Sequence, residues 1–193
     1  MKKSSIIIIV AIAIVAIWAI TGYNGLVSQD ETVANSWANV EAAYQRRADL
    51  IPQLVNTVKG YANHEKSTLD AVVSARTKAT QMTVSVDDLS EENIQKFQEA
   101  QGEVGAAIGR LLAITERYPE LKANENFSEL QAQLEGTENR INEARKKYND
   151  AVKTYNVSVR RFPNNILAGM FGFERKAEFK AEEGASKAPE VNF

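Results

Sequence analysis

The sequence predicts an all-α protein, in which an N-terminal transmembrane helix is followed by an antiparallel four-helix up-and-down bundle. Three observations support this fold class. An unbroken apolar run covers residues 6–20. Long stretches after it repeat apolar residues at intervals of three and four, which is the spacing of one helix face. Short breaks separate these stretches, and short links favour antiparallel neighbours.

The apolar run predicts a membrane anchor over residues 6–23. At roughly 1.5 Å per residue this segment forms about 27 Å of helix, close to the ~30 Å hydrocarbon core of a bilayer. A cleaved signal peptide and a buried core helix are the alternatives, but Ala19-Ile20-Thr21 is a poor cleavage site. The residues that we expect within the membrane include Ile6, Ile9, Ile12, Val15, Trp18, Ile20 and Tyr23.

Charges beside the run predict its orientation. Lys2 and Lys3 lie in a short cationic N-terminus, residues 1–5, and the next cation is Arg46. The positive-inside rule therefore places the N-terminus in the cytoplasm and the rest of the chain on the other side. Beyond the anchor the chain has 25 Asp and Glu residues and 21 of its 23 Lys and Arg residues. This balance argues against a nucleic-acid binder, which needs a basic surface.

Four periodic stretches predict the helices of a domain that covers residues 24–161. Their alternating steps of three and four form heptads, as in coiled coils, and favour near-parallel helix packing. Ser90 and the two glutamates after it are typical of a helix start, and Tyr118-Pro119 of a helix end. The predicted helices cover residues 25–60, 64–83, 90–117 and 127–161.

Polar residues within the apolar stripes leave two interpretations open. Arg76, Gln101, Thr115 and Thr137 either line a site in the bundle core or set the register of packing, which we favour. The chain has one histidine, His64, and no cysteine, so we expect no metal site and no cofactor. It also lacks a nucleophile elbow and a phosphate-binding loop, and we expect no catalytic residues.

Two sequence blocks, together with the anchor, resemble the LemA family of bacterial membrane proteins. The first is RRADLIPQLV, residues 46–55, followed by Val58-Lys59-Gly60-Tyr61. The second combines Tyr148-Asn149 and Tyr155-Asn156 with FPNNILAGMFGF, residues 162–173. The resemblance implies a single-pass protein of the bacterial cell membrane with an antiparallel four-helix bundle. The resemblance does not imply an activity, because the family has no established biochemical function and no catalytic residues to carry over.

The segment of residues 162–173 is apolar and interrupts the heptads. We expect it to fold back as a cap on one end of the bundle; the alternative is an apolar patch for a partner or a lipid surface. The composition of residues 174–193, rich in Lys, Glu and Ala, predicts a mobile charged tail. The candidate interaction residues are Phe162, Pro163, Asn164, Ile166, Leu167, Met170, Phe171 and Phe173.

Two classes of function agree with these patterns. The first, which we favour, is a non-enzymatic scaffold or protein-interaction module at the membrane, with protein partners and possible self-association. The second is a small-ligand sensor or weak enzyme that uses Arg76, Gln101, Thr115 and Thr137. A polar cavity of several hundred Å³ around those four residues would favour the second class.

Overall fold

A computed structural model describes residues 3–62 and 64–180 of the chain. Within those residues the protein is all-α, with six α-helices, a 3-10 turn at Val86–Asp88 and no β-strand. The α-helices are α1 (Lys3–Tyr61), α2 (Lys66–Gln81), α3 (Glu91–Thr115), α4 (Pro119–Lys122), α5 (Glu125–Arg160) and α6 (Asn164–Phe171).

Helix α1 runs without interruption from the apolar run into the rest of the structure. Its N-terminal part is the one helical segment of the described residues that is long and apolar enough to cross a membrane, and it is exposed. From Leu26 onward the helix has a buried stripe that includes Val33, Trp37 and Val40. The stripe begins three residues after the candidate span ends. We expected a separate helix from residue 25, but α1 continues through Gly22, Asn24 and Gly25, and no proline lies between the two parts.

Contacts between side chains give the directions of the long helices. Helices α1 and α5 run in opposite directions, because the Trp37 and Tyr148 ring centroids lie 5.4 Å apart whereas Tyr61 accepts a hydrogen bond from Asn124. Helix α2 returns along α1, and Arg76 Nε donates to the Ala48 carbonyl at 2.8 Å.

Helix α3 then runs opposite to α2. At one end Lys78 Nζ lies 2.6 Å from Glu103 Oε1, and at the other Arg117 lies 2.8 Å from Glu65. The apolar core has two parts. The first part surrounds Trp37 and contains residues of α1, α3, α5 and α6. The second part surrounds Leu54 and contains residues of all five helices from α1 through α5.

Residues 162–173 turn back from α5 and place α6 against α1 and α5. Leu167 and Ala168 are buried there. Gly172 ends the helix with a φ of 75°, a left-handed conformation that glycine adopts without steric cost. The chain then continues from residue 173 to residue 180 without helix or strand. Lys176 and Phe179, three residues apart, bond to asparagines that lie about 10 Å apart along α5, a distance that three residues span only when extended.

We expected a mobile charged tail from residue 174, whereas the structure shows residues 174–180 in contact with the helices. These residues pack on the helices, and Phe179 is only 5 % exposed. The physical reason is that an apolar ring and backbone hydrogen bonds secure a segment whose composition is otherwise charged. The rest of the expected tail, residues 181–193, lies outside the described residues.

Candidate functional site: a groove between α3 and α5

A groove lies between α3 and α5 on the surface of the structure. The half that lies nearer α6, here called the proximal groove, holds residues 174–180, here called the docked tail. The other half, the distal groove, is not filled by any of the described residues. Both halves lie on the same pair of helices, so the chain itself shows how one half binds an extended peptide.

Two asparagines on α5 hold the backbone of the docked tail. Asn156 donates from Nδ2 to the Lys176 carbonyl at 2.8 Å and accepts from the Lys176 amide at 3.0 Å. Asn149 makes the same pair of bonds with Phe179, at 3.0 and 2.9 Å. The asparagines are seven residues apart, so they share one face of α5. Each asparagine bonds to both the backbone N–H and the backbone carbonyl of one tail residue. The two asparagines therefore recognise the backbone of the tail and not its side chains.

Further hydrogen bonds to the backbone of the docked tail complete its attachment. The Tyr148 hydroxyl donates to the Ala177 carbonyl at 2.9 Å, and the Ala177 amide donates to the Leu89 carbonyl at 2.9 Å. Further along, Gln98 on α3 donates to the Lys180 carbonyl at 3.0 Å. The tail is therefore bonded to α5, to α3 and to the loop before α3.

Phe179 is the apolar anchor of the docked tail. Its ring stacks on Trp37 at a centroid distance of 6.0 Å and meets Tyr148 edge-on at 5.4 Å. The Arg145 guanidinium lies over the outer face of the ring, 4.9 Å from its centroid. The ring also lies 6.4 Å from that of Phe97, so a single aromatic side chain contacts α1, α3 and α5.

Charged groups stabilise both ends of the docked tail. Lys176 Nζ lies 2.9 Å from Asp30 Oδ1 and 5.6 Å from the centre of the Tyr155 ring. At the other end, Lys180 pairs with Glu91. Burial raises the pKa of Tyr155 to about 12, and the Asp30 and Glu174 carboxylates contribute to the shift. Burial also raises the pKa of Tyr148. Both phenols therefore stay protonated at neutral pH.

The distal groove is an open cleft of about 600 Å³. Its floor is apolar, and Ile108 and Leu134 form part of it. On α3 the wall contains two glycines, and a Cβ atom added to Gly109 would meet no other atom within 4 Å. On α5 the rim carries the carboxylates of Glu135 and Glu138. The cleft therefore offers an apolar floor, open space and negative charge.

Arg47 lies beneath the junction of the two halves. It is 4 % exposed and comes from α1. Its guanidinium donates to Glu138 Oε1 and to both the carbonyl and the Oε1 of Gln101, each at 2.8 Å, and it lies 5.0 Å from the centre of the Tyr44 ring. One buried cation thus ties α1 to α3 and α5, so the two walls of the groove keep their spacing.

The four polar residues that we considered as a common site do not come together. Arg76 and Gln101 line a pocket of about 120 Å³ between α1, α2 and α3. The hydroxyls of Thr115 and Thr137 instead donate to carbonyls of their own helices, those of Leu112 and Gln133. His64 lies in the turn after α1 and is exposed. Within the described residues, no group of three or more His, Cys, Asp or Glu is arranged to hold a metal ion.

The candidate interaction residues of segment 162–173 divide into two groups. Leu167 is buried, and Pro163, Asn164 and Phe173 are partly buried. The exposed group consists of Phe162, Ile166, Met170 and Phe171. Among the residues expected in the membrane, Trp18 is partly buried against the part of the apolar core that surrounds Trp37, whereas the others are exposed: Ile6, Ile9, Ile12, Val15, Ile20 and Tyr23.

Comparison with known proteins decides the family. The family model described as the LemA family matches residues 36–193, which is most of the chain. The chain belongs to the LemA family. The resemblance stated from sequence is confirmed.

Other proteins resemble this LemA-family chain over most of its length. It is 28 % identical over 184 residues to "Magnetosome protein MamQ 1" of Paramagnetospirillum magneticum, an alignment that covers 86 % of the chain and 67 % of that relative. It is 26 % identical to "Magnetosome protein MamQ" of Magnetospirillum gryphiswaldense, with the same coverage. "Protein LemA" of Metamycoplasma hominis is 24 % identical over 160 residues, 83 % of this chain and 69 % of that protein. Together with the apolar N-terminal helix, these relatives fit a membrane-associated protein.

The structure gives a physical role to residues that carried the resemblance to the LemA family. In each Tyr-Asn pair, the asparagine clasps the docked tail, and the tyrosine packs in the core beside it. In the block at residues 46–55, Arg47 is the buried cation under the groove. Sequence reasoning missed both roles. The signal that was available is the seven-residue spacing of two Asn side chains on a face that packs against the core.

Proposed function

We propose that this LemA-family protein is a non-enzymatic scaffold, anchored in the bacterial cell membrane by a single membrane-spanning helix, and that the distal groove binds a segment of a partner protein. In this proposal α1, α2, α3 and α5 form an antiparallel up-and-down bundle. The N-terminus lies in the cytoplasm and the bundle outside it, as the cations beside the anchor favour.

The observation that carries this proposal is the docked tail. An extended segment with one buried aromatic side chain occupies the proximal groove, so the surface between α3 and α5 is suited to binding a peptide. The distal groove continues the same surface and has an apolar floor of its own. Short segments that dock in preformed grooves with one apolar anchor are a common mode of peptide recognition.

The chemistry of the distal groove indicates what the partner segment contains. The apolar floor at Ile108 and Leu134 suits one large aliphatic or aromatic side chain. The carboxylate of Glu135 favours a lysine or arginine next to that anchor, whereas the carboxylate of Glu138 already pairs with Arg47. The partner is therefore a protein segment with a large apolar residue beside a basic residue.

The small-ligand alternative has weaker support. Pockets for small molecules usually have volumes of about 300–1,000 Å³. The pocket that Arg76 and Gln101 line measures about 120 Å³, and the two threonines of the expected site lie elsewhere. The cleft of about 600 Å³ is instead the open distal groove, whose shape suits a chain segment.

Photo-crosslinking in native membranes tests the proposal. A photoreactive residue replaces Asn139, which lines the distal groove, in the full-length protein. We expect a discrete adduct with a second protein, and mass spectrometry of the adduct should locate the crosslink beside an apolar and a basic residue of that protein.

A matched pair of glycine variants controls the experiment. Gly109→Trp fills the distal groove, whereas Gly136→Trp adds the same side chain on α5 outside the groove lining; an added Cβ meets no atom within 4 Å at either position. The adduct should disappear in the first variant and persist in the second. Adducts only with lipid or with a second copy of the chain, or an adduct that survives Gly109→Trp, would refute the proposed site.

A further inference from the structure

We propose that α6 and the turn before it lie in the headgroup region of the bilayer, with their exposed apolar side chains inserted among the lipids. This inference rests on the proposed anchoring of α1 and adds a second membrane contact to it. The described residues support it through the position of α6, the chemistry of its outer face and the charges on either side.

Helix α6 is attached at the end of the candidate span. A Cβ atom built on Gly22 would lie 2.7 Å from Leu167 Cδ1, so the absence of a side chain at Gly22 permits the contact. One residue further, the ring centroids of Tyr23 and Phe171 lie 4.8 Å apart in an edge-to-face arrangement. Since residues 6–23 are the segment that would cross the membrane, α6 lies at the level where the hydrocarbon core ends.

The outer face of this region is apolar and exposed. Phe162, Ile166 and Met170 follow one another at intervals of four, and their exposed fractions are 76 %, 49 % and 72 %. Phe171 is 56 % exposed and continues the patch towards Tyr23. Residues 162–173 contain no charged side chain. An apolar helix face of this kind, beside a membrane anchor, matches helices that lie in the interface plane.

Basic residues flank the apolar patch on both sides. Arg160 and Arg161 precede it, and Arg175 follows it; all three side chains are exposed. Acidic residues lie near the patch as well: Glu174 follows it in sequence, and Asp30, Asp87 and Asp88 line the same pocket as Phe171 and Arg175. The arginines at this level can contact the phosphates of lipid headgroups.

The bilayer is the occupant that these observations favour. The exposed surface of α1 at Ile17 and Ile20 is apolar and meets lipid if the helix spans the membrane. The patch on α6 is contiguous with that surface through Tyr23 and Phe171. A protein partner would have to cover the patch at the level of the lipid headgroups, whereas lipid is already present there.

Site-specific labelling tests the inference on the full-length protein in vesicles of phosphatidylcholine and phosphatidylglycerol. The chain has no cysteine, so Met170→Cys can carry one environment-sensitive fluorophore. We expect a blue-shifted emission and a several-fold greater quenching by lipids with a nitroxide at a shallow acyl carbon than at Val73→Cys. Val73 is a matched exposed apolar residue on α2.

A label at Ile12→Cys separates this inference from the proposed anchoring. Quenching by lipid nitroxides at residues 12 and 170 supports both. Quenching at residue 12 with a water-exposed label at residue 170 would overturn the inference and leave the anchor. A label at residue 170 that is shielded from both water-soluble and lipid quenchers would show a protein cover and would also overturn it. No lipid contact at residue 12 would refute the anchor and the inference together.

Discussion

The clasp of the docked tail by Asn149 can be tested by a single truncation. Asn149→Ala removes the bond from Nδ2 to the Phe179 carbonyl and the bond from the Phe179 amide to Oδ1. Each neutral hydrogen bond contributes about 1 kcal/mol net, so the docked tail should lose about 2 kcal/mol. At 1.4 kcal/mol per tenfold change, the population of the undocked tail should rise about thirtyfold.

Amide hydrogen exchange measures this change directly. The Ala177 amide donates to the Leu89 carbonyl in the docked state and keeps that acceptor in Asn149→Ala, so its protection reports tail opening. We expect protection at Ala177 to fall about thirtyfold while amides in the centre of α5 change little, because opening of a segment that lies outside the helices is local. Asn56→Ala, which truncates an exposed asparagine of α1, should leave Ala177 protection unaltered. Unchanged protection in Asn149→Ala would refute the clasp as the source of tail docking.

Three further outcomes follow from the contacts described above. Arg47→Ala should lower the free energy of unfolding by about 3 kcal/mol in denaturant titrations, the low end for a broken buried ion pair, because its partner carboxylate is half exposed. Gly22→Val should destabilise the packing of α6 by about 1–3 kcal/mol, since the new side chain overlaps Leu167, whereas Gly25→Ala should stabilise α1 by about 1 kcal/mol. The raised pKa of Tyr155 contributes stability that is fully present below pH ~10 and is lost as the pH rises from there to about 12.

Each of these outcomes has a contrary result that would count against its reasoning. An Arg47→Ala protein as stable as the parent would mean that the buried cation is not needed to hold the groove walls. Equal thermal stability of Gly22→Val and Gly25→Ala would exclude tight packing at Leu167. A Tyr155→Phe variant that loses stability as steeply as the parent between pH 10 and 12 would assign the alkaline transition to other groups.

Helical periodicity was the part of the structure that sequence could reveal. Buried positions such as Leu130, Leu134 and Ile141 follow the predicted heptad on α5. These positions are visible in sequence because each contributes apolar area in a pattern that repeats with the helix. The full length of α1 was harder to predict from sequence. The apolar run is apolar on all sides and has no helical periodicity, so its continuity with the periodic stretch after it leaves no signal in the pattern.

The docked tail could not be predicted by the same reasoning. Its binding depends on backbone bonds to Asn149 and Asn156 and on one ring, Phe179, within an otherwise charged segment. Composition averages over such a segment, and contacts between residues 30 apart leave no local periodicity. Arg47 was similarly hidden, because only the three-dimensional positions of Gln101 and Glu138 explain a buried cation.

The continuity of α1 adds a geometric requirement to the proposed function. From residue 23, where the candidate span ends, to residue 47, which lies under the junction of the groove halves, the helix rises about 36 Å along its axis at 1.5 Å per residue. If α1 spans the membrane as proposed, one continuous helix without a linker carries the groove to this height. Under the proposed function, a membrane-bound partner then reaches the distal groove only if its binding segment projects about 36 Å or more from the lipid surface.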